Sequence, residues 1–297
     1  MQSEPSTDFS HAPEGFTVGP GYGGLTRVLV TVEGAEAEIY LNGATVTRYD
    51  VGGQPVLFCS KTSKYEAGKA IRGGVPVIFP WFGPHPTDSS QPQHGLVRAA
   101  DWRVDSMRRL APDAAELTLT FESSEATLAA WPFDFGLRYT VSVGKRLEMA
   151  LKVTNRSMSE IEFHEALHTY LAIGDVHKIA IAGLENCEYA DKVDGGARRR
   201  LGAESLRLKG ETDRVFVNTS AACRLSEPGR PDVLVSKEGS LSTVVWNPWE
   251  TKAEAMSDLA GGQWPEMVCV ETANALENVI AVSPGASHTM KAIIERL

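Results

Sequence analysis

Residues 137–154 read LRYTVSVGKRLEMALKVT. Leu137, Tyr139, Val141 and Val143 alternate with Arg138, Thr140 and Ser142; Leu147, Met149, Leu151 and Val153 alternate with Glu148, Ala150 and Lys152. Side chains two apart share one face of a strand, so each run carries its large apolar groups on one face. Gly144-Lys145-Arg146 lies between the runs, which makes them a hairpin. The same period recurs at Leu117, Leu119 and Phe121, at Val28, Val30 and Val32, and at His288, Met290, Ala292 and Ile294. Turn pairs stand between such runs: Asn42-Gly43, Gly52-Gly53, Pro228-Gly229 and Pro284-Gly285. Helical stretches are few and short, with Ser124 to Ala130 one candidate. The pattern predicts an all-β protein, a single large antiparallel sandwich over residues 25–297 after a polar arm over residues 1–24.

Bulk composition narrows the partners. The chain has 297 residues, 42% apolar and 23% charged, which suits a globular domain with a sizeable core. Thirty-eight acids against 29 bases leave a net charge of −9, which repels a phosphate backbone and speaks against nucleic acid. The basic cluster Arg198-Arg199-Arg200 sits in a Gly-flanked polar segment and reads as a solvated loop. No run reaches the ~20 apolar residues of a membrane span. The start, MQSEPSTDFSHAPEG, has neither a basic head nor an apolar core, so a cytoplasmic protein is expected. Cys59, Cys187, Cys223 and Cys269 form no C-x-x-C pair, which argues against a disulfide framework and a cysteine zinc site.

FHEALHTY, residues 163–170, contains His164, Glu165 and His168 in the order H-E-x-x-H of zinc peptidases. On a helix, residues four apart come within roughly 6 Å and can grip one ion. On a strand they stand about 13 Å apart and cannot. The preceding run is a strand ending at Asn155-Arg156-Ser157, and Leu171 stands where the extended metal motif has glycine. The segment is therefore expected to be a strand, with no metal. One or both histidines then either pack and hydrogen-bond or serve another chemistry.

Four further segments carry chemistry-bearing residues. In AIRGGVPVIFPWFGP, residues 70–84, Arg72 precedes two glycines and a rigid proline-punctuated run; it either forks onto an anion or lies in solvent beside a turn. QHGLVR, residues 93–98, packs Gln93, His94 and Arg98 around Gly95, either for a polar ligand or as a satisfied loop. VVWNPWETK sets Trp246 and Trp249 around Asn247-Pro248, for sugar stacking or core packing. MVCVETANA carries Glu271 after an apolar strand, where it is either half of a buried salt bridge or a base of raised pKa.

Taken in order, IRGGVPVIFPWFGP, QHGLVRAADW, ALHTYLAIGDV, ETDRVFVNT, VVWNPW and MVCVETANA resemble the successive signatures of the hexose-6-phosphate mutarotases (glucose-6-phosphate 1-epimerases) of the aldose 1-epimerase superfamily. The resemblance spans residues 25 to 295 and implies a galactose mutarotase-like β-supersandwich. It implies His168 as catalytic acid and Glu271 as catalytic base. Arg72, Gln93, Arg98 and Asp213 match substrate-binding positions, and His94 is similar to a sugar-contacting histidine. His164 matches no family role. The sequence departs from the pattern at Trp81, where the family often has glutamine, and at Leu96, which replaces a common phenylalanine.

The implied reaction interconverts the α and β anomers of a hexose 6-phosphate, with glucose 6-phosphate the expected substrate. It needs proton traffic and positioning but no metal or organic cofactor. The expected partner is a small-molecule sugar phosphate bound by a monomer, with neither nucleic acid nor membrane. Two other readings share the scaffold: a mutarotase of uncharged sugars, which has no need of both arginines, and a non-catalytic sugar-binding protein.

Overall fold

The computed structural model describes residues 12–259 and 261–297. The alternating runs become the strands their period predicts. Phe135–Val143 pairs with Arg146–Asn155 in antiparallel register, Val143 opposite Leu147, and the apolar members of both runs are buried. This hairpin is the middle of an eight-stranded sheet, flanked by Ala114–Glu122 and Arg103–Ala111 on one side and by Ser287–Arg296, Val233–Glu238, Cys223–Ser226 and Ala180–Ala182 on the other. A five-stranded sheet begins at Phe16–Pro20 and runs through Thr26–Val32, Ala35–Tyr40 and Thr45–Val51 to Gln54–Pro55. The strand Phe16–Pro20 lies within the arm expected over residues 1–24, so the sheet starts earlier than the alternation at Val28 suggested; residues 1–11 of that arm lie outside the described residues.

The second eight-stranded sheet bears most directly on function. Its order is Ala197–Arg200, Glu188–Asp191, Thr212–Phe216, Ser242–Asn247, Met267–Asn274, Glu165–Leu167 and Val77–Ile78, and Tyr170–Ala172 also pairs with Met267–Asn274. Alternate residues of this sheet, including Leu167, Val245, Val268 and Val270, join the inward faces of the other two large sheets in one apolar core. Its opposite face is covered too, by clusters around Tyr170, Trp246 and Cys269 and around Val215, Val244 and Ala273. A strand buried on both faces needs apolar groups on both, which is why MVCVETAN shows no clean alternation. Glu271 lies inside this strand rather than after it. Each large core side chain contributes about 1.5–3 kcal/mol, so Val268 and Val270 help hold in place a strand that carries a buried carboxylate.

FHEALHTY is extended, as its surroundings indicate: Ile161–Phe163, Glu165–Leu167 and Tyr170–Ala172 are short strands, with His164 and His168 at the interruptions. The two α-helices among the described residues are six residues each, Glu125–Ala130 and Trp249–Glu254. Ser124 caps the first, its hydroxyl accepting from the Thr127 amide while Thr127 Oγ1 accepts from the Ser124 amide. Ala197–Arg200 is a correction: it is an exposed edge strand, not a loop. Arg198, Arg199 and Arg200 pair there with Glu277, Asp194 and Glu188, and a charged edge discourages further strand addition. An exposed edge needs no apolar alternation, so the segment carried no strand signal.

Glu165, the acid of the H-E-x-x-H order, is a structural residue. It is fully buried, accepts from Asn274 Nδ2 at 2.9 Å, and meets His288 Nε2 at 3.0 Å. Burial lowers the pKa of His288, but Glu165 and then the Gly239 carbonyl together outweigh it and the net shift is upward. The pair therefore stabilises the fold fully below the unfolded pKa of about 6.5, and that contribution fades as pH rises through the higher folded value. His288→Ala is expected to cost about 3–5 kcal/mol in urea unfolding at mildly acidic pH, because it strands a buried carboxylate, with the loss shrinking as pH rises.

Candidate active site

Strand register brings the acid and base candidates together. Leu167 lies opposite Thr272 and Tyr170 opposite Cys269, with two residues between on each strand. His168 thus falls opposite Glu271, and both side chains point away from the core that holds Leu167, Leu171, Val268 and Val270. Nε2 of His168 is 3.4 Å from Oε1 of Glu271, at the outer edge of hydrogen-bond range. His168 Nδ1 and Glu271 Oε2 are buried without a protein partner among the described residues. The His168 ring stacks on Tyr170, with centroids 4.7 Å apart, and meets Trp246 edge-on. The same register sets Asp213 opposite Trp246 and Val244 opposite Glu271, which puts all four on the cavity face.

Glycines shape the two arginine loops. Gly73 has φ 123° and Gly74 φ 64°; a Cβ there would lie 2.4 Å from Cys59 Cα and 2.1 Å from the Val46 carbonyl oxygen. This tight passage follows Arg72, whose Nε and Nη2 each lie 3.1 Å from Asp258 Oδ2 and whose Nη1 donates to the Tyr170 hydroxyl at 3.0 Å. Nδ1 of His94 accepts the Gly83 amide at 3.2 Å, so its own proton sits on Nε2. Arg98 makes no salt bridge among the described residues. An uncompensated, half-buried guanidinium is costly unless it awaits an anion.

Arg72, Gln93, His94, Arg98, His168, Asp213 and Glu271, the seven site residues that the resemblance implies, line one cavity of about 290 Å³. Phe82, Lys192, Val244, Trp246, Lys252 and Met256 complete its wall. Of the two tryptophans only Trp246 reaches it; Trp249 packs on Trp264 and His177. Lys192 was missed in the sequence. It pairs with Asp213 at 3.4 Å and lies over the Phe82 ring, and no local motif marks it. The departure at Trp81 is buried away from the cavity wall, its Nε1 donating to the Pro92 carbonyl. His164 turns to the Leu276 carbonyl at 3.1 Å, so it shares no site with His168. The ligand atoms of His168, Cys269 and Glu271 do lie within 4.8 Å of one another and are the trio that an ion could reach. Burial, then Glu271, push the Cys269 thiol well above its usual pKa, which disfavours the thiolate that binds metals.

Electrostatics separate the titrating pair. Burial, then His94, Arg72 and Arg98, hold His168 well below the ordinary imidazole range. Burial, then Asp213, push Glu271 well above the carboxylate range, with Lys192 opposing. His94 is drawn down to about 3 by burial and then by Arg98, Lys192 and Arg72, so it is neutral. Two titrating groups with opposite shifts, side by side in the wall of a polar cavity, can exchange protons with the two oxygens on one carbon of a ligand.

A β-supersandwich that sets an imidazole against a carboxylate at the base of such a cavity belongs with the mutarotase-like sugar isomerases. The aldose 1-epimerase family matches residues 27–295, and the chain belongs to that family. It is 33% identical over 273 residues to an Escherichia coli K12 protein named "Putative glucose-6-phosphate 1-epimerase", covering 91% of this chain and 90% of that one. A protein of the same name from Cenchrus ciliaris is 32% identical over 259 residues, covering 84% and 78%. A solved Salmonella typhimurium structure, described as a "putative mutarotase", superposes with a TM-score of 0.85 at 27% identity over 94% of this chain and 96% of that one. The chain is an epimerase of carbohydrate metabolism. No helix among the described residues is long and apolar enough to cross a membrane.

Proposed function

We propose that the protein interconverts the α and β anomers of a hexose 6-phosphate, glucose 6-phosphate first among them. The observation that carries this reading is the cavity that joins the His168–Glu271 pair to Arg98, a cation with no carboxylate partner among the described residues. The Glu271 carboxylate takes the proton of the anomeric hydroxyl, and that O–H pair becomes the new carbonyl bond. The bond from the anomeric carbon to the ring oxygen breaks, and the ring oxygen takes a proton from the His168 imidazolium. The aldehyde turns about its bond to the next carbon. Ring closure on the other face reverses both transfers, so protons balance and no co-reactant is consumed.

His94, through its Nε2 proton, and Asp213 and Gln93 hold the ring hydroxyls, and Trp246 offers an aromatic face. Arg72 and Arg98 receive the phosphate, where guanidinium forks fit oxyanions. The reading includes a cytoplasmic monomer built on residues 25–297, with the net charge of −9 against a nucleic-acid partner. The test is polarimetry of freshly dissolved α-glucose 6-phosphate and α-glucose with catalytic amounts of protein. Faster decay of rotation with the phosphorylated sugar supports the reading. Acceleration with glucose alone replaces it with an uncharged-sugar mutarotase, and no acceleration with either leaves sugar binding.

A further inference from the structure

A second cavity, about 390 Å³, lies against the first. The two share three wall residues, Arg72, Arg98 and His168. The second cavity holds neither Glu271 nor Asp213; its walls add Lys64, Lys69 and Asp258. Four cations thus face one carboxylate, although Asp258 is engaged by Arg72 and Lys69 by Glu66 at 3.0 Å. The balance of charge in this cavity is cationic, and the acid candidate, His168, lines both it and the first cavity.

We infer that an oxyanion bound in this second cavity activates the His168 acid across the shared wall, so that the phosphate of the substrate acts as a catalytic activator as well as an anchor. The inference rests on the hexose-phosphate reading above and goes beyond it. The charged and titrating groups around His168 are Arg72, Arg98, His94, Glu271, Tyr170 and Cys269. Without ligand, burial, His94 and the two arginines keep the ring neutral, and Glu271 is pushed toward its protonated form. That proton arrangement suits ring closure, whereas ring opening needs carboxylate and imidazolium. An anion between Arg72 and Arg98 cancels the repulsion on His168 and moves the shared proton toward it.

The two functions of the phosphate separate when it is cut from the sugar. Enzyme-catalysed anomer exchange of glucose is measured by NMR with and without inorganic phosphite dianion, after subtracting exchange in phosphite alone. Phosphite is expected to raise the enzymatic exchange of glucose at least about tenfold, saturably, as a one-unit rise in the pKa of the acid would do. Arg98→Ala should abolish the activation. In parallel, phosphite should compete with glucose 6-phosphate. Competition without activation of glucose would overturn the inference and leave the hexose-phosphate reading standing. Failure to turn over glucose 6-phosphate at all would remove that reading, and the inference with it.

Discussion

Glu271→Gln is expected to lower the kcat/KM for anomer exchange of glucose 6-phosphate by at least about 100-fold while the fold persists. General acid–base catalysis is typically worth about 10²–10⁴-fold, and glutamine keeps the shape of the side chain but cannot take the hydroxyl proton. His168→Asn should cost a comparable factor. The pH dependence gives the sharper signature. His168 is held low and Glu271 high, so the pair carries one proton over a wide interval and the wild-type kcat/KM should trace a broad bell. On the acid side the pair gains a second proton and the base is lost; on the alkaline side it loses its only proton and the acid is lost. The residual activity of Glu271→Gln needs only the imidazolium. It should fall steadily as pH rises, with no acid limb. NMR exchange on variants with wild-type circular dichroism checks both points. Wild-type rates in both folded variants would remove the pair from the mechanism.

Arg98→Ala is expected to raise KM for glucose 6-phosphate about tenfold or more and to leave the KM for unphosphorylated glucose nearly unchanged. A hydrogen bond to a charged group is worth roughly 1.5–3 kcal/mol. Arg98 should show the larger effect because Arg72 already spends two donor groups on Asp258 and one on Tyr170. Arg72→Ala should also lower the urea midpoint, since it strands Asp258 and the buried Tyr170 hydroxyl; Arg98→Ala, with no such partner among the described residues, should not. Steady-state exchange kinetics on both sugars, beside urea titrations, separate the two residues. Equal KM losses on both sugars would make the arginines structural.

The all-β class was legible in the sequence because alternation survives wherever one face of a strand meets the core and the other meets solvent. Residues 137–154 show it, and their register follows from a three-residue turn. The strand state of FHEALHTY was legible from its surroundings, and with it the separation of His164 from His168. The site candidates were legible only through resemblance, since each of their segments read alone left a structural alternative open. Alternation failed for Met267–Asn274, which is apolar on both faces, and for Ala197–Arg200, which is polar at an exposed edge. Composition at those strands reports burial and not geometry.

What the sequence by itself determined is therefore the class of fold, the turns that close its hairpins and the glycines without which the loops after Arg72 and His94 could not pass neighbouring backbone. Only the tertiary structure decided which polar residues meet. Glu271 and His168 are 103 positions apart and come within 3.4 Å because two strands pair in one register, and a slip of one residue would turn either side chain into the core. Lys192 finds Asp213, Glu165 finds His288, and Arg98 is left without a salt bridge among the described residues by the same kind of long-range placement. Local sequence encodes which face a side chain takes; its partner across the sheet depends on how the whole chain closes, and the shifted pKa values of the site arise only from that closure.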